Sequence, residues 1–159
     1  MKSNTNIIDK KMELLEKIKK GDEVDYNFLS LNDLLMSDTM GKNYLEYASL
    51  NKDIFSPEIR NEIIKSFEAM CICIRNNNLD FLFFVDEINE DILFFRNDDT
   101  ISIIEMLLEV KFNIYSFLKQ IKCHCEIIDY LIEYGYDDYS LISDDIVRKL
   151  FLKRMESIL

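Results

Sequence analysis

Apolar residues recur along this chain at helical spacing, and polar turns interrupt them at short intervals. In "DKKMELLEKIKKGD", Asp9 stands where an N-cap is expected, Met12, Leu15 and Ile18 form a stripe, and Gly21 closes the segment. A helix over 9–20 is predicted, acting as an N-terminal cap. "YNFLSLNDLLMSD" predicts a second helix through Phe28, Leu31 and Leu35, and "GKNYLEYASLNK" a third. In "SPEIRNEIIKSFEAMCICIRNNN", Ser56 is an N-cap and Pro57 takes the first helical position, where its missing N–H costs nothing; the asparagine run 76–78 then stops the helix. The aromatic-rich stretch 81–95 has strand composition, but its short spacing within a helical chain predicts helix or irregular turn. "SDDIVRKLFLKRMESIL" predicts a closing helix over 144–159. The predicted fold is therefore all-α.

The pattern also repeats. "NYLEYASLNK" (43–52) aligns with "SIIEMLLEVK" (102–111), and each follows a polar turn, "SDTMGK" or "RNDDTI". Upstream, "LNDLLMSD" echoes "INEDILFFRND". Helix pairs that cannot bury their faces alone imply a stacked solenoid, here one helical-repeat domain over 1–159 with capping helices at both ends.

One stretch points to a family. "CHCEIIDYLIEYGYD" (123–137) resembles the second half of an ankyrin repeat, Gly-His-x-Glu-Ile-Val-x-x-Leu-Leu-x-x-Gly-Ala-Asp, through His124, Glu126, Ile127, Ile128, Leu131, Ile132, Gly135 and Asp137. Cys123 and Tyr136 replace the usual Gly and Ala. "GKNYLEYA" (41–48) is similar to the first half through Gly41, Leu45 and Ala48, although the Thr-Pro-Leu-His core is absent. The resemblance implies degenerate ankyrin-like helix pairs and a role in binding other proteins. Independently of it, Ile127, Ile128, Leu131 and Ile132 form one broad apolar helix face.

Composition narrows the function classes. The chain has 159 residues and a net charge of −11, which disfavours phosphate-backbone binding because that requires clustered Lys and Arg. The start lacks the apolar core of a signal peptide, and the longest apolar runs are too short for a bilayer, so a cytoplasmic protein with neither nucleic-acid nor membrane partners is expected, and its richness in Asn, Ile, Lys and Asp gives it a bacterial character. In a reducing compartment the four cysteines are expected as free thiols, mostly in the core.

The chemical motifs read as structural. Cys71, Cys73, Cys123, His124 and Cys125 are enough ligands for zinc, but C-x-C on a helix points its thiols about 200° apart. His124 is expected to bond local backbone. "NEDILFFRNDD" lacks the D-x-D-x-D-G order of an EF-hand, and Gly21, Gly41 and Gly135 are too scattered for a phosphate loop. No catalytic residue, metal site or cofactor is expected.

The sharpest asymmetry is electrostatic. Between Asp80 and Glu105 the acids are Asp80, Asp86, Glu87, Glu90, Asp91, Asp98, Asp99 and Glu105, against Arg96 as the single base; Asp137, Asp138, Asp144 and Asp145 form a second set. Glu87, Glu90, Asp91, Asp98, Asp99, Asp137 and Asp138 are the candidate partner-binding residues. They imply a noncatalytic module docking a basic protein, most specifically an immunity protein neutralising a cognate toxin, or alternatively a scaffold or regulatory adaptor.

Overall fold

The computed structural model describes residues 2–83, 87–122 and 124–158, with side chains from residue 6 onward. It is all-helical: among the described residues only isolated bridges are extended, Ser37 with Asn43, Ile88 with Ile121, and Arg96 with Ser102. Contacts divide the chain into two compact units, Met1–Val85 and Asp86–Leu159. The sequence pattern drew no boundary there.

The first unit contains α1 (Lys2–Lys20), α2 (Leu31–Leu34), α3 (Tyr44–Leu50), α4 (Pro57–Ile63) and α5 (Phe67–Arg75), with 3-10 turns at Tyr26–Phe28 and Asp80–Leu82. α1 begins before the expected residue 9, so Asp9 lies inside the helix and does not cap it. Leu15 and Ile18 are buried as their stripe requires, whereas Met12 is 40% exposed. The expected helix over 26–38 is broken instead. Tyr26–Phe28 is a 3-10 turn with Phe28 exposed, and Ser30 restarts the chain through a reciprocal capping box with Asp33. Ser56 and Pro57 open α4 as predicted, but the helix stops at Ile63 because Ser66 offers a second N-cap, its Oγ accepting from Ala69 N–H. α3 packs against both α1 and α5, burying Leu45 and Ala48 completely.

The second unit contains α6 (Glu90–Leu93), α7 (Ile103–Glu109), α8 (Cys125–Glu133) and α9 (Asp145–Ile158), with 3-10 segments at Ile114–Gln120 and Tyr139–Leu141. Leu93, Ile104, Leu107, Ile127, Leu131 and Phe151 are fully buried. α9 packs on α8, and the Arg154 guanidinium grips the Asp129 carboxylate, with Nε to Oδ1 at 2.9 Å. Asp144 Oδ1 accepts from Ile146 and Val147 N–H, so the closing helix is capped where the sequence placed its start.

The repetition seen in sequence is a repetition of structure. α2 and α6, α3 and α7, and the left-handed residues Lys52 and Lys111 recur at a step of 59 residues (31 to 90, 44 to 103, 52 to 111). Each lysine, at φ near +60°, ends its helix in a Schellman motif: Asp53 N–H reaches Ala48 O at 3.1 Å, and Phe112 N–H reaches Leu107 O at 3.0 Å. Asn77 and Gly135 close α5 and α8 in the same way.

Candidate protein-binding surface

The turns before α3 and α7 share one backbone and differ in charge. Asp38 Oδ1 accepts from Met40 N–H at 2.9 Å and Lys42 N–H at 3.0 Å; Asn97 Oδ1 accepts from Asp99 N–H at 2.9 Å and Ile101 N–H at 3.0 Å. The side-chain oxygen at the first position therefore builds the turn, and either residue supplies it. Asp38 has further work inside its own unit. Its carboxylate accepts the Tyr47 hydroxyl at 2.6 Å and pairs with Lys19 at 3.2 Å, with the side chain only 2% exposed. The Tyr47 hydroxyl, then the backbone amides and Lys19, hold its carboxyl well below the usual carboxylate range against the cost of desolvation.

In the second turn the neutral Asn97 does the local work, and the acids sit at the tip. Asp98 and Asp99 are exposed, and neither takes part in an ion pair among the described residues. Arg96, the single base of this stretch, is engaged: it donates to Thr100 O at 2.6 Å and pairs with Glu105 at 2.9 Å. Two acids of like charge thus face solvent without a counterion from the nearest base.

An aromatic row lies beside this ion pair. Phe94 meets Tyr130 edge to face, with centroids 5.8 Å apart, and Tyr130 stacks on Tyr134 at 4.4 Å. Burial, then Tyr134 and the Glu105 charge, push the Tyr130 phenol up, with Arg96 opposing, so the row lies within electrostatic reach of the Arg96–Glu105 pair. Tyr134 is 61% exposed and Phe95 55% exposed. The i, i+4 spacing of Tyr130 and Tyr134 at the end of a helix was a legible signal for this row.

The other candidates separate. Glu87 and Asp91 are exposed. Glu90 is 4% exposed, its Oε2 accepting Ile127 N–H at 3.3 Å, so it caps α8 from another helix and cannot meet a partner directly. Burial, with Glu126 and Asp91 acting in the same direction, raises the Glu90 carboxyl, while Ile127 N–H opposes. Asp137 and Asp138 are exposed after Gly135, and Asp138 accepts the Ser140 amide and hydroxyl. They belong to a different turn from Asp98 and Asp99.

His124 bonds Leu118 O through Nε2 at 2.9 Å, a donor role that commits this ring nitrogen to the backbone. Cys73 is buried, and burial pushes its thiol up to about 12; Cys71 on the same helix is half-buried and also raised. Cys125 is exposed, contrary to the expected core placement, because it opens α8 on the solvent side. Cys123 lies outside the described residues. Among the described residues no three His, Cys, Asp or Glu side chains gather to hold a metal ion, and no helix is long and apolar enough to cross a membrane.

Comparison of the chain with protein-family models, with curated proteins and with solved structures gave no match.

Proposed function

We propose that this protein is a noncatalytic binding module that docks a basic protein partner through the turn 97–101 and the adjoining aromatic row. The observation that carries this reading is the contrast between the two matching turns. Where one acid is consumed internally at Asp38, the equivalent turn gives the local role to Asn97 and leaves Asp98 and Asp99 unpaired. Unpaired acids speed the approach of a basic surface, and Tyr134 and Phe95 supply flat, low-entropy area once it arrives.

The recurring turn, seven-residue helix and Schellman ending support helix pairs of degenerate ankyrin-like character in each unit, of the kind from which helical-repeat proteins are built. Within that class the specific role favoured is an immunity protein of the cytoplasm that neutralises a basic toxin. A scaffold or adaptor is the second reading, favoured by the repetition itself, since repeated units present turn tips to many kinds of protein.

The test is affinity capture with tagged wild type and with Asp98→Lys/Asp99→Lys, followed by association kinetics on the captured protein. A stoichiometric basic partner whose association slows in the variant and loses its salt dependence is expected. An acidic partner, or unchanged on-rates at low salt, would remove this turn from the docking surface.

A further inference from the structure

The first unit holds an open cleft of about 340 Å3 lined by Glu23, Val24, Tyr26, Lys52, Asp53 and Ile54. It forms where the loops leaving α1 and α3 emerge side by side, each from a Schellman motif whose left-handed residue is Gly21 (φ +82°) or Lys52 (φ +59°). Two bonds tie these loops together. Asn51 Nδ2 donates to Ile18 O at 3.1 Å, and the Tyr26 hydroxyl donates to Asp53 Oδ2 at 2.5 Å. Tyr26 is in turn fixed edge to face on Phe55, with centroids 5.2 Å apart, so the floor of the cleft is rigid.

Its lining has a definite chemistry. Glu23 and Asp53 supply two carboxylates from different loops, and neither has a Lys or Arg ion pair among the described residues. Asp53 spends Oδ2 on Tyr26, and no hydrogen bond to its Oδ1 occurs among the described residues. The Lys52 ammonium donates to Asn76 O at the end of α5, so its cation has a backbone partner while its stem borders the cleft. Val24 and Ile54 make the apolar wall, and Ile54 is 69% exposed. Burial, reinforced by the Glu23 charge and opposed by the Tyr26 hydroxyl, raises the Asp53 carboxyl above its ordinary range. A nearby cation would relieve that cost.

We infer that this cleft is a binding site for one cationic side chain, lysine or arginine, of a polypeptide ligand. The alkyl stem lies on Val24 and Ile54, and the charged end sits between Glu23 and Asp53. The size falls at the lower end of small-ligand pockets, as one side chain requires. A bare hard metal ion is a poorer fit, since it takes six to eight oxygens and two carboxylates on separate loops do not supply them. An anion would meet two like charges. The site lies in the other unit from the turn 97–101, so it stands without the docking role proposed there.

The test is a titration of the full chain, followed by amide NMR, with Nα-acetyl-lysine amide, Nα-acetyl-arginine amide and the uncharged Nα-acetyl-norleucine amide. Saturable shifts centred on residues 23–26 and 52–54 are expected for both cations, with affinity at least about tenfold above norleucine. Glu23→Gln, a change at an exposed position, should weaken the cations about tenfold and leave norleucine unchanged. Asp53→Asn, which keeps an acceptor for Tyr26, should do the same with the fold verified in the same spectra. Asp98→Asn should leave the titration unaltered, so that the cleft and the acidic turn are judged separately. Equal binding of norleucine, non-saturating shifts spread over acidic residues of both units, or indifference to Glu23→Gln would overturn the assignment.

Discussion

The turns at 38–42 and 97–101 show how one backbone serves two purposes. Both are closed by a side-chain oxygen accepting two amides, and both carry a left-handed residue at the fourth position, Gly41 at φ +82° and Thr100 at φ +61°. In the first, charge is turned inward to Lys19 and Tyr47, and glycine makes the conformation easy. In the second, the closing residue is neutral, the acids point to solvent, and a β-branched residue is held where side chains are disfavoured by about 1–2 kcal/mol. The first turn is arranged for stability. The second gives up some stability while exposing charge.

The equivalence of the units can be broken most directly in their cores. Leu45 and Ile104 occupy matching positions and are both fully buried, so Leu45→Ala and Ile104→Ala should each cost about 2–5 kcal/mol in urea unfolding. Costs differing by more than about 3 kcal/mol would show that the shared pattern hides unequal packing.

The carboxyls predict opposite responses to acid. Asp38 is held below its ordinary range, so its stabilisation is present at neutral pH and is lost as pH falls through its folded value. Glu90 is held above its range, so its ionised form costs stability at neutral pH. That cost is fully present above the raised folded value and is gone below the ordinary one. Relative to wild type, Asp38→Asn should flatten the loss on acidification and Glu90→Gln should abolish a gain. Unfolding curves between neutral and acid pH measure both, and matching slopes in the two variants would contradict the contrast.

Exchanging the left-handed residues isolates the backbone. Gly41→Thr should destabilise by about 1–2 kcal/mol through conformation alone, because a Cβ there would meet nothing within 4 Å. Thr100→Gly should recover up to about 1 kcal/mol, reduced by the greater freedom glycine has when unfolded. Calorimetric unfolding checks the pair. The smallest effect belongs to the exposed acids: Asp98→Lys/Asp99→Lys should change stability by less than about 0.5 kcal/mol while altering association, and a larger loss would mean the tip is structural.

Much of the local structure was legible. The alignment of 43–52 with 102–111 anticipated matching helices, and Ser56, Pro57 and Gly21 marked boundaries through capping and φ preferences that act within a few residues. The break at Ser66 was missed because an apolar period continues across it, although Ser66 carries its own N-cap signal. The exposed acids at 98–99 were legible as a run of acids beside a single base. Glu90 was not, since its burial depends on the bare N-terminus of α8, thirty-odd residues further on.

Sequence by itself determined what short-range physics controls: helix period, caps, left-handed endings, the acidic balance and the internal repeat. Tertiary structure alone decided which charges are used and which are left over. Asp38, Glu90, Asp98 and Asp53 are all carboxylates in polar stretches. Their roles diverge according to whether folding brings within hydrogen-bond reach a lysine and a tyrosine hydroxyl, a helix terminus, no partner among the described residues, or a tyrosine hydroxyl alone. That distinction rests on distances between residues far apart in the chain, where a carboxylate's free energy depends on partners and solvent and hardly at all on its sequence neighbours.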